Sequence, residues 1–185
     1  MIRPILLFVS LPCLILACAH VPSAQASGLH ILLTNDDGYG SVGIETLEEA
    51  LRGAGHRVTV VAPEGNRSGS SASMTFGAVR VVERAPGEYS ADATPATCAL
   101  LGLSAMADPE APFDLLVSGT NAGANAGAAT AMSGTVGATT IAVGLGETPA
   151  IAVSANEIAK EGGRTHDVFS VFECHRIKRH IDGRL

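Results

Sequence analysis

The chain has 185 residues, of which 46% are hydrophobic, only 4% are aromatic and none is Trp. That is the length of one domain with enough apolar mass for a core, which Val, Leu, Ile and Ala must pack. A formal net charge of −6 argues against a nucleic-acid polymer as partner, because a polyanion is held by basic surface. An anionic small molecule would need local positive charge or a metal ion.

At the N-terminus a single charge, Arg3, precedes the apolar run "ILLFVSLPCLILA" at residues 5–17. The run is too short to span a bilayer comfortably, and Ala24-Gln25-Ala26 offers a cleavage site. The reading is a signal peptide over 1–26 and export, to the periplasm in a bacterium. A retained anchor competes with it, and "ILAC" ending at Cys18 also fits a lipobox, making a lipid-anchored protein a further alternative. Cleavage after Ala26 would remove Cys13 and Cys18. Cys98 and Cys174 would remain, able to bridge only in an oxidising compartment.

Residues 27–156 carry the domain. "HILLTNDDG" from His30 reads as a buried strand closed by a turn. "GIETLEEALRGAGH" follows with Ile44, Leu47 and Leu51 on one helical face and Gly53 and Gly55 as stop signals. "RVTVVAP" is a second strand ended by Pro63, so the unit is βαβ, with parallel pairing and a right-handed crossover. "MTFGAVRVVERAPGEYSA" predicts an antiparallel excursion. "ATCALLGLSAMA" predicts a second helix, "FDLLVSG" a third parallel strand, "SGTVGATTIAVGLG" a Gly- and Ala-rich buried helix, and "TPAIAVSA" a fourth strand. The alternation predicts an α/β Rossmann-like fold, a doubly wound, mostly parallel sheet in three α/β/α layers. From about Glu157 the character changes: residues 157–185 hold six of the twelve Lys and Arg and three of the six His, with little apolar periodicity. This segment is expected to be a solvated or divergent tail.

Ligands of a parallel sheet bind outside the carboxyl ends of its strands. Three predicted parallel strands end in unusual polar loops: "TNDDGYG", "PEGNRSGSS" and "SGTNAGANAG". These should face one crevice, where Asp36, Asp37, Ser68 and Asn121 could converge. Oxygen donors alone suit a hard cation, Mg²⁺ or Mn²⁺, rather than zinc. Adjacent carboxylates repel unless a cation lies between them. Arg67 is the natural charge for a phosphate oxygen, and the helix opened by "SGTV" could add backbone donors. The competing explanation for Asn-Asp-Asp-Gly is turn chemistry, with an Asp capping the next helix.

Other patterns compete with this site. Gly38, Gly40 and Gly43 spell G-x-G-x-x-G, with Glu64 beyond them, on paper a dinucleotide fingerprint. Charge opposes it: Asp36 and Asp37 would face a pyrophosphate, at a cost on the order of 4 kcal/mol per like-charge pair at ~4 Å and an effective dielectric of about 20. Cys174, His175 and His180 are a weak zinc set, and His166-Asp167 reads as a surface pair. His30 starts the first strand and His56 precedes the second, both on the opposite edge from the crevice. The serines of "RSGSSAS" lack the elbow and histidine of a nucleophile.

The pieces "ILLTNDDGYGSVGIETLEEAL", "VTVVAPEGNRSGSSASMT", "TPATC", "DLLVSGTNAGANAG" and "SGTV" resemble, in order and spacing, the SurE family of stationary-phase survival proteins, which act as 5′/3′-nucleotidases. The resemblance covers about Leu29 to Ser154. It implies one divalent metal ion held by Asp36, Asp37, Ser68 and Asn121, and hydrolysis of nucleoside monophosphates or similar phosphomonoesters by a metal-activated water attacking in line. It places Asn66, Gly69, Ser133, Gly134 and Thr135 near the phosphate, beside Arg67, and makes the dinucleotide match accidental. It also implies a homo-oligomer. The chain departs from the family pattern at Ala128-Ala129-Thr130-Ala131-Met132, where acidic or Thr-Asp residues are usual, and at Thr97, where the family has Asp. Family chains continue past the fourth strand into further elements that residues 157–185 do not resemble, as expected of a C-terminally truncated or divergent member. The alternatives are a catalytically impaired relic that binds metal without turnover and, third, a dinucleotide-binding oxidoreductase.

Overall fold

A computed structural model describes residues 28–155 and the strand at 169–174. The leader, its cleavage site and lipobox, and His166, Asp167, His175 and His180 lie outside the described residues. Strands β1 (His30–Thr34), β2 (Arg57–Pro63), β3 (Val81–Ala85), β4 (Glu88–Ala91), β5 (Leu115–Ala122), β6 (Ala150–Ala155) and β7 (Phe169–Cys174) form one seven-stranded sheet in the order β3-β4-β2-β1-β5-β6-β7. β4, β2, β1, β5 and β6 are parallel, while β3 and β7 pair antiparallel at the two edges.

The central strands β1, β2, β5 and β6 are largely apolar and buried because both faces of the sheet are covered there. Side chains alternate along β1: Ile31 and Leu33 join Ile44, Val58, Val60 and Val117 under α1 (Val42–Gly53). Leu32 points the other way, with Val61, Leu116, Cys98, Ala99, Ala138 and Ala142, toward α2 (Pro95–Ala105) and α3 (Gly134–Gly144). Each of these fully buried Leu or Ile side chains contributes about 1.5–3 kcal/mol. Small residues let the helices approach: a Cβ on Gly102 would lie 2.5 Å from Leu32 Cδ2, and one on Gly137 would lie 1.9 Å from the Ser71 carbonyl oxygen.

α1 is amphipathic, with Glu45 in its first turn and Arg52 in its last, each complementing the helix dipole. α2 opens on Pro95 behind Thr94, whose hydroxyl accepts from Thr97 N–H. α3 opens on Ser133, whose Oγ accepts from Val136 N–H at 3.2 Å. β3 and β4 are the expected antiparallel excursion, turned at Gly87 with φ +80. β4 then returns parallel to β2.

The segment expected to be a tail supplies β7, registered from Ala150↔Cys174 to Ala155↔Phe169. A six-residue run, "FSVFEC", suffices for an edge strand, and so short a run carries little periodic signal amid basic residues. Among the described residues no helix is long and apolar enough to cross a membrane.

Candidate metal and phosphate site

The three polar loops do meet at one edge, and hydrogen bonds fix how. Asn35, fully buried, wires the first turn: its Oδ1 accepts from Gly38 N–H at 3.2 Å, and its Nδ2 donates to the Gly38 carbonyl at 3.1 Å and Ser41 Oγ at 2.8 Å. Gly38 has φ +104, and a Cβ there would lie 2.9 Å from the Gly65 carbonyl carbon, so the first two loops touch through backbone. That contact, rather than a pyrophosphate, accounts for the first glycine of the G-x-G-x-x-G string. Glu64 is engaged by Arg80 and, at 3.2 Å, by Arg84.

Asp36 is 2% exposed and faces the start of α3. Its Oδ1 accepts from Thr135 Oγ1 at 2.7 Å and its Oδ2 from Gly134 N–H at 3.1 Å. Its backbone carbonyl accepts from Arg67 N–H at 2.7 Å, tying in the second loop. Neither aspartate caps the following helix, since the N-cap of α1 is Ser41, which makes no side-chain cap hydrogen bond. Asp37 is half-buried and reaches the third loop, its Oδ2 accepting from Ala122 N–H at 2.9 Å. Burial pushes the Asp37 carboxyl up; the Ala122 bond opposes this, and the neighbouring Asp36 charge reinforces it.

Asn121 follows a register shift in β5 between Ser118 and Asn121, near the cis Gly119–Thr120 peptide. Its Nδ2 donates to the Gly123 carbonyl at 2.8 Å, and its Oδ1 has no hydrogen-bond donor among the described residues. Ser68 is exposed, with its N–H held by Asn66 Oδ1 at 3.0 Å. Asn66 therefore shapes the second loop. Gly69, at φ +79, allows the chain to turn there. Gly134 and Thr135 are buried and committed to Asp36, and Ser133 to the helix cap. The Arg67 guanidinium does not reach the aspartates; it pairs with Asp92 at 2.7 Å, both side chains largely exposed.

Three further residues carry the construction. Ser71, at φ +53, donates its N–H to the Met132 carbonyl at 3.0 Å and its Oγ to the Ala131 carbonyl at 2.8 Å, clamping the 3₁₀ helix Gly127–Met132. Among the described residues Ser70 Oγ is buried without a hydrogen-bond partner beside Gly134, where a Cβ would lie 2.6 Å from it and 3.0 Å from Asp36 Oδ2. Thr97 accepts from Thr75 N–H at 2.7 Å and so helps fix the end of the second loop. The Asn35-x-x-Gly38 spacing is a recognisable turn signal, whereas nothing in the sequence marks the other contacts.

At the opposite edge, His30 Nε2 meets Thr59 Oγ1 at 3.2 Å and its ring lies 4.1 Å from Phe113, while His56 Nδ1 accepts from Leu29 N–H at 3.0 Å. Both imidazoles are structural there. Among the described residues no group of three or more His, Cys, Asp or Glu comes together. The candidate donor set is two carboxylates completed by neutral oxygens, a composition that fits a hard divalent cation.

A family model for the survival protein SurE matches residues 31–181, most of the chain. The chain belongs to the SurE family. The 5′-nucleotidase SurE of Alkalilimnicola ehrlichii is 47% identical over 129 residues, 69% of this chain and 49% of that protein. The 5′/3′-nucleotidase SurE of Yersinia pestis is 40% identical over 152 residues, 81% of this chain and 56% of that protein. The crystal structure of a SurE protein from Aquifex aeolicus superposes with a TM-score of 0.64 at 39% identity, covering 71% of this chain and 52% of that one. The chain thus spans about half the length of the SurE relatives it matches. The family match runs through β7 and past it.

Proposed function

We propose that this chain is a divalent-metal-dependent phosphomonoesterase acting on nucleoside monophosphates. The observation that carries the reading is the aspartate pair, Asp36 held by the α3 N-terminus and Asp37 turned to the third loop. The names of its relatives, 5′- and 5′/3′-nucleotidases, supply the substrate class. The leader adds an exported setting to the proposal, supported by its apolar run and Ala24-Gln25-Ala26.

Asp36, Asp37, Asn121 Oδ1 and Ser68 Oγ would hold the ion. A bound divalent cation supplies positive charge to phosphoryl oxygens and lowers the pKa of water. The residues do the rest. Asp36 stays fixed because α3 bonds both its oxygens. The positive end of α3 favours an anion above Asp36. Arg67 reaches a phosphoryl oxygen by leaving Asp92, and an exposed pair of this kind is worth only about 0–1 kcal/mol.

The test is phosphate release by the full chain from nucleoside monophosphates with Mn²⁺, Mg²⁺ or EDTA. Release that needs the metal and disappears in Asp37→Asn supports the reading. Undiminished turnover in the variant, or in EDTA, overturns it. Metal binding by calorimetry without any release would identify the non-catalytic alternative.

A further inference from the structure

We infer that Met132 is the nucleobase platform of this site, a step that rests on the phosphomonoesterase reading above. Four large hydrophobic residues are exposed among the described ones: Leu29, Phe76, Met132 and Leu145. Of these, only Met132 adjoins the residues that contact Asp36. It is 62% exposed and immediately precedes Ser133, the cap of α3. Two residues of chain span at most about 7 Å, so a phosphate over the Gly134 end of α3 leaves the remainder of its ester within reach of this side chain.

The backbone at Met132 is fixed while the side chain is free. Its carbonyl is held by Ser71 N–H at 3.0 Å, the preceding carbonyl by Ser71 Oγ at 2.8 Å, and Ser133 N–H donates to the Thr130 carbonyl. Ser71 is itself pinned, at φ +53 with its own carbonyl lying against Gly137. A thioether on a rigid backbone, left unpacked, is a contact surface awaiting an apolar or aromatic partner.

The chemistry of the surroundings selects the partner. Between Asp114 and Glu147 the sequence has no ionisable side chain. The charged groups of the site, Asp36, Asp37 and Arg67, all come from the first two loops. The wall formed by the third loop, the 3₁₀ helix and α3 is neutral, and Ala128, Ala129 and Ala131 lead into Met132. Such a wall suits the uncharged face of a base, and the polarizable sulfur favours an aromatic ring. A purine offers more face than a pyrimidine and should be preferred.

The test compares kcat/KM for adenosine 5′-monophosphate with that for ribose 5-phosphate, the same ester without a base. Met132→Ser should lower the ratio about three- to tenfold, chiefly through KM for the nucleotide, and Met132→Leu should recover part of it. Leu145→Ala, equally exposed but at the far end of α3, should leave the ratio unchanged. An unchanged ratio in Met132→Ser, an equal loss on both esters, or a changed oligomeric state with the ratio intact overturns the inference, the last assigning Met132 to a protein interface. Those outcomes leave the phosphomonoesterase reading standing. No release from either ester by the parent chain would overturn both.

Discussion

Removing one oxygen from α3 tests the construction of the site most directly. Thr135 is fully buried and its Oγ1 donates to Asp36 Oδ1 at 2.7 Å. Thr135→Val keeps the shape and the β-branching, so helix propensity hardly changes. What changes is one hydrogen bond to a buried carboxylate, an interaction worth about 1.5–3 kcal/mol. Asp36 keeps the Gly134 N–H on its other oxygen, which argues for the middle of that range, about 2 kcal/mol. At roughly 2–4 °C per kcal/mol for a chain of this size, Tm should fall by about 4–8 °C. Urea unfolding in EDTA, which removes any contribution from bound metal, should show a lower midpoint with an unchanged m-value. The Asp36→Asn background completes a double-mutant cycle, in which the two sites should couple by more than about 0.5 kcal/mol. A Thr135→Val protein as stable as its parent, or a cycle without coupling, would refute the claim that α3 anchors Asp36.

Two other outcomes follow from the packing. Gly137→Ala would set a methyl 1.9 Å from the Ser71 carbonyl oxygen, where backbone must move, so urea stability should drop by at least about 1–3 kcal/mol; an Ala variant of parental stability would mean that the second loop does not press on α3. Cys98 is fully buried, and burial pushes its thiol up to about 12, so residue-resolved mass spectrometry should find it unalkylated at pH 8 until the protein unfolds. The sign for stability follows: the folded pKa lies above the ordinary value, so the contribution is complete below about pH 9 and is lost as pH rises toward 12. Rapid labelling of native Cys98, or unfolding that is independent of alkaline pH in a way Cys98→Ala does not alter, would contradict this burial.

Much of the fold is legible in the sequence because its signals are local. "RVTVVAP" coincides with β2, since a strand buried on both faces is a contiguous apolar run ended by a proline. α1 declares itself through Ile44, Leu47 and Leu51 on one face. α2 and α3 do so less well, being apolar nearly all round, and their limits follow from Thr94 and Ser133 as caps. The Ala-rich 3₁₀ helix at 127–132 has no period to read. β7 is an edge strand in a region dominated by charge, and the parallel return of β4 onto β2 is a non-local choice. For the site, the strand-end rule is enough to bring the three loops to one edge. It does not say where a side chain turns: Arg67 toward Asp92, Asp36 into α3, and Ser71 across to Met132. Those contacts link residues 25, 99 and 61 positions apart, beyond the reach of any local pattern.

The two aspartates are adjacent in sequence but differ in role, and their hydrogen bonds separate them. Both lie in the bend beyond Thr34, past the end of β1. Asp36 meets the N-terminal turn of α3 through Gly134 N–H and Thr135 Oγ1. Asp37 turns instead to Ala122 N–H on the third loop. Burial raises the Asp37 carboxyl above its ordinary value, the Ala122 N–H bond opposes this, and the charge of Asp36, held through both its oxygens, adds to the rise. A carboxyl raised in the folded state destabilises that state once pH passes through the folded value. At neutral pH without metal, Asp37→Asn should therefore leave the protein as stable as the parent or more so, while Thr135→Val, which cuts the anchor of Asp36, weakens it. Stability recovered when that charge is removed would support the cation site proposed above, and a loss of stability in Asp37→Asn would count against it.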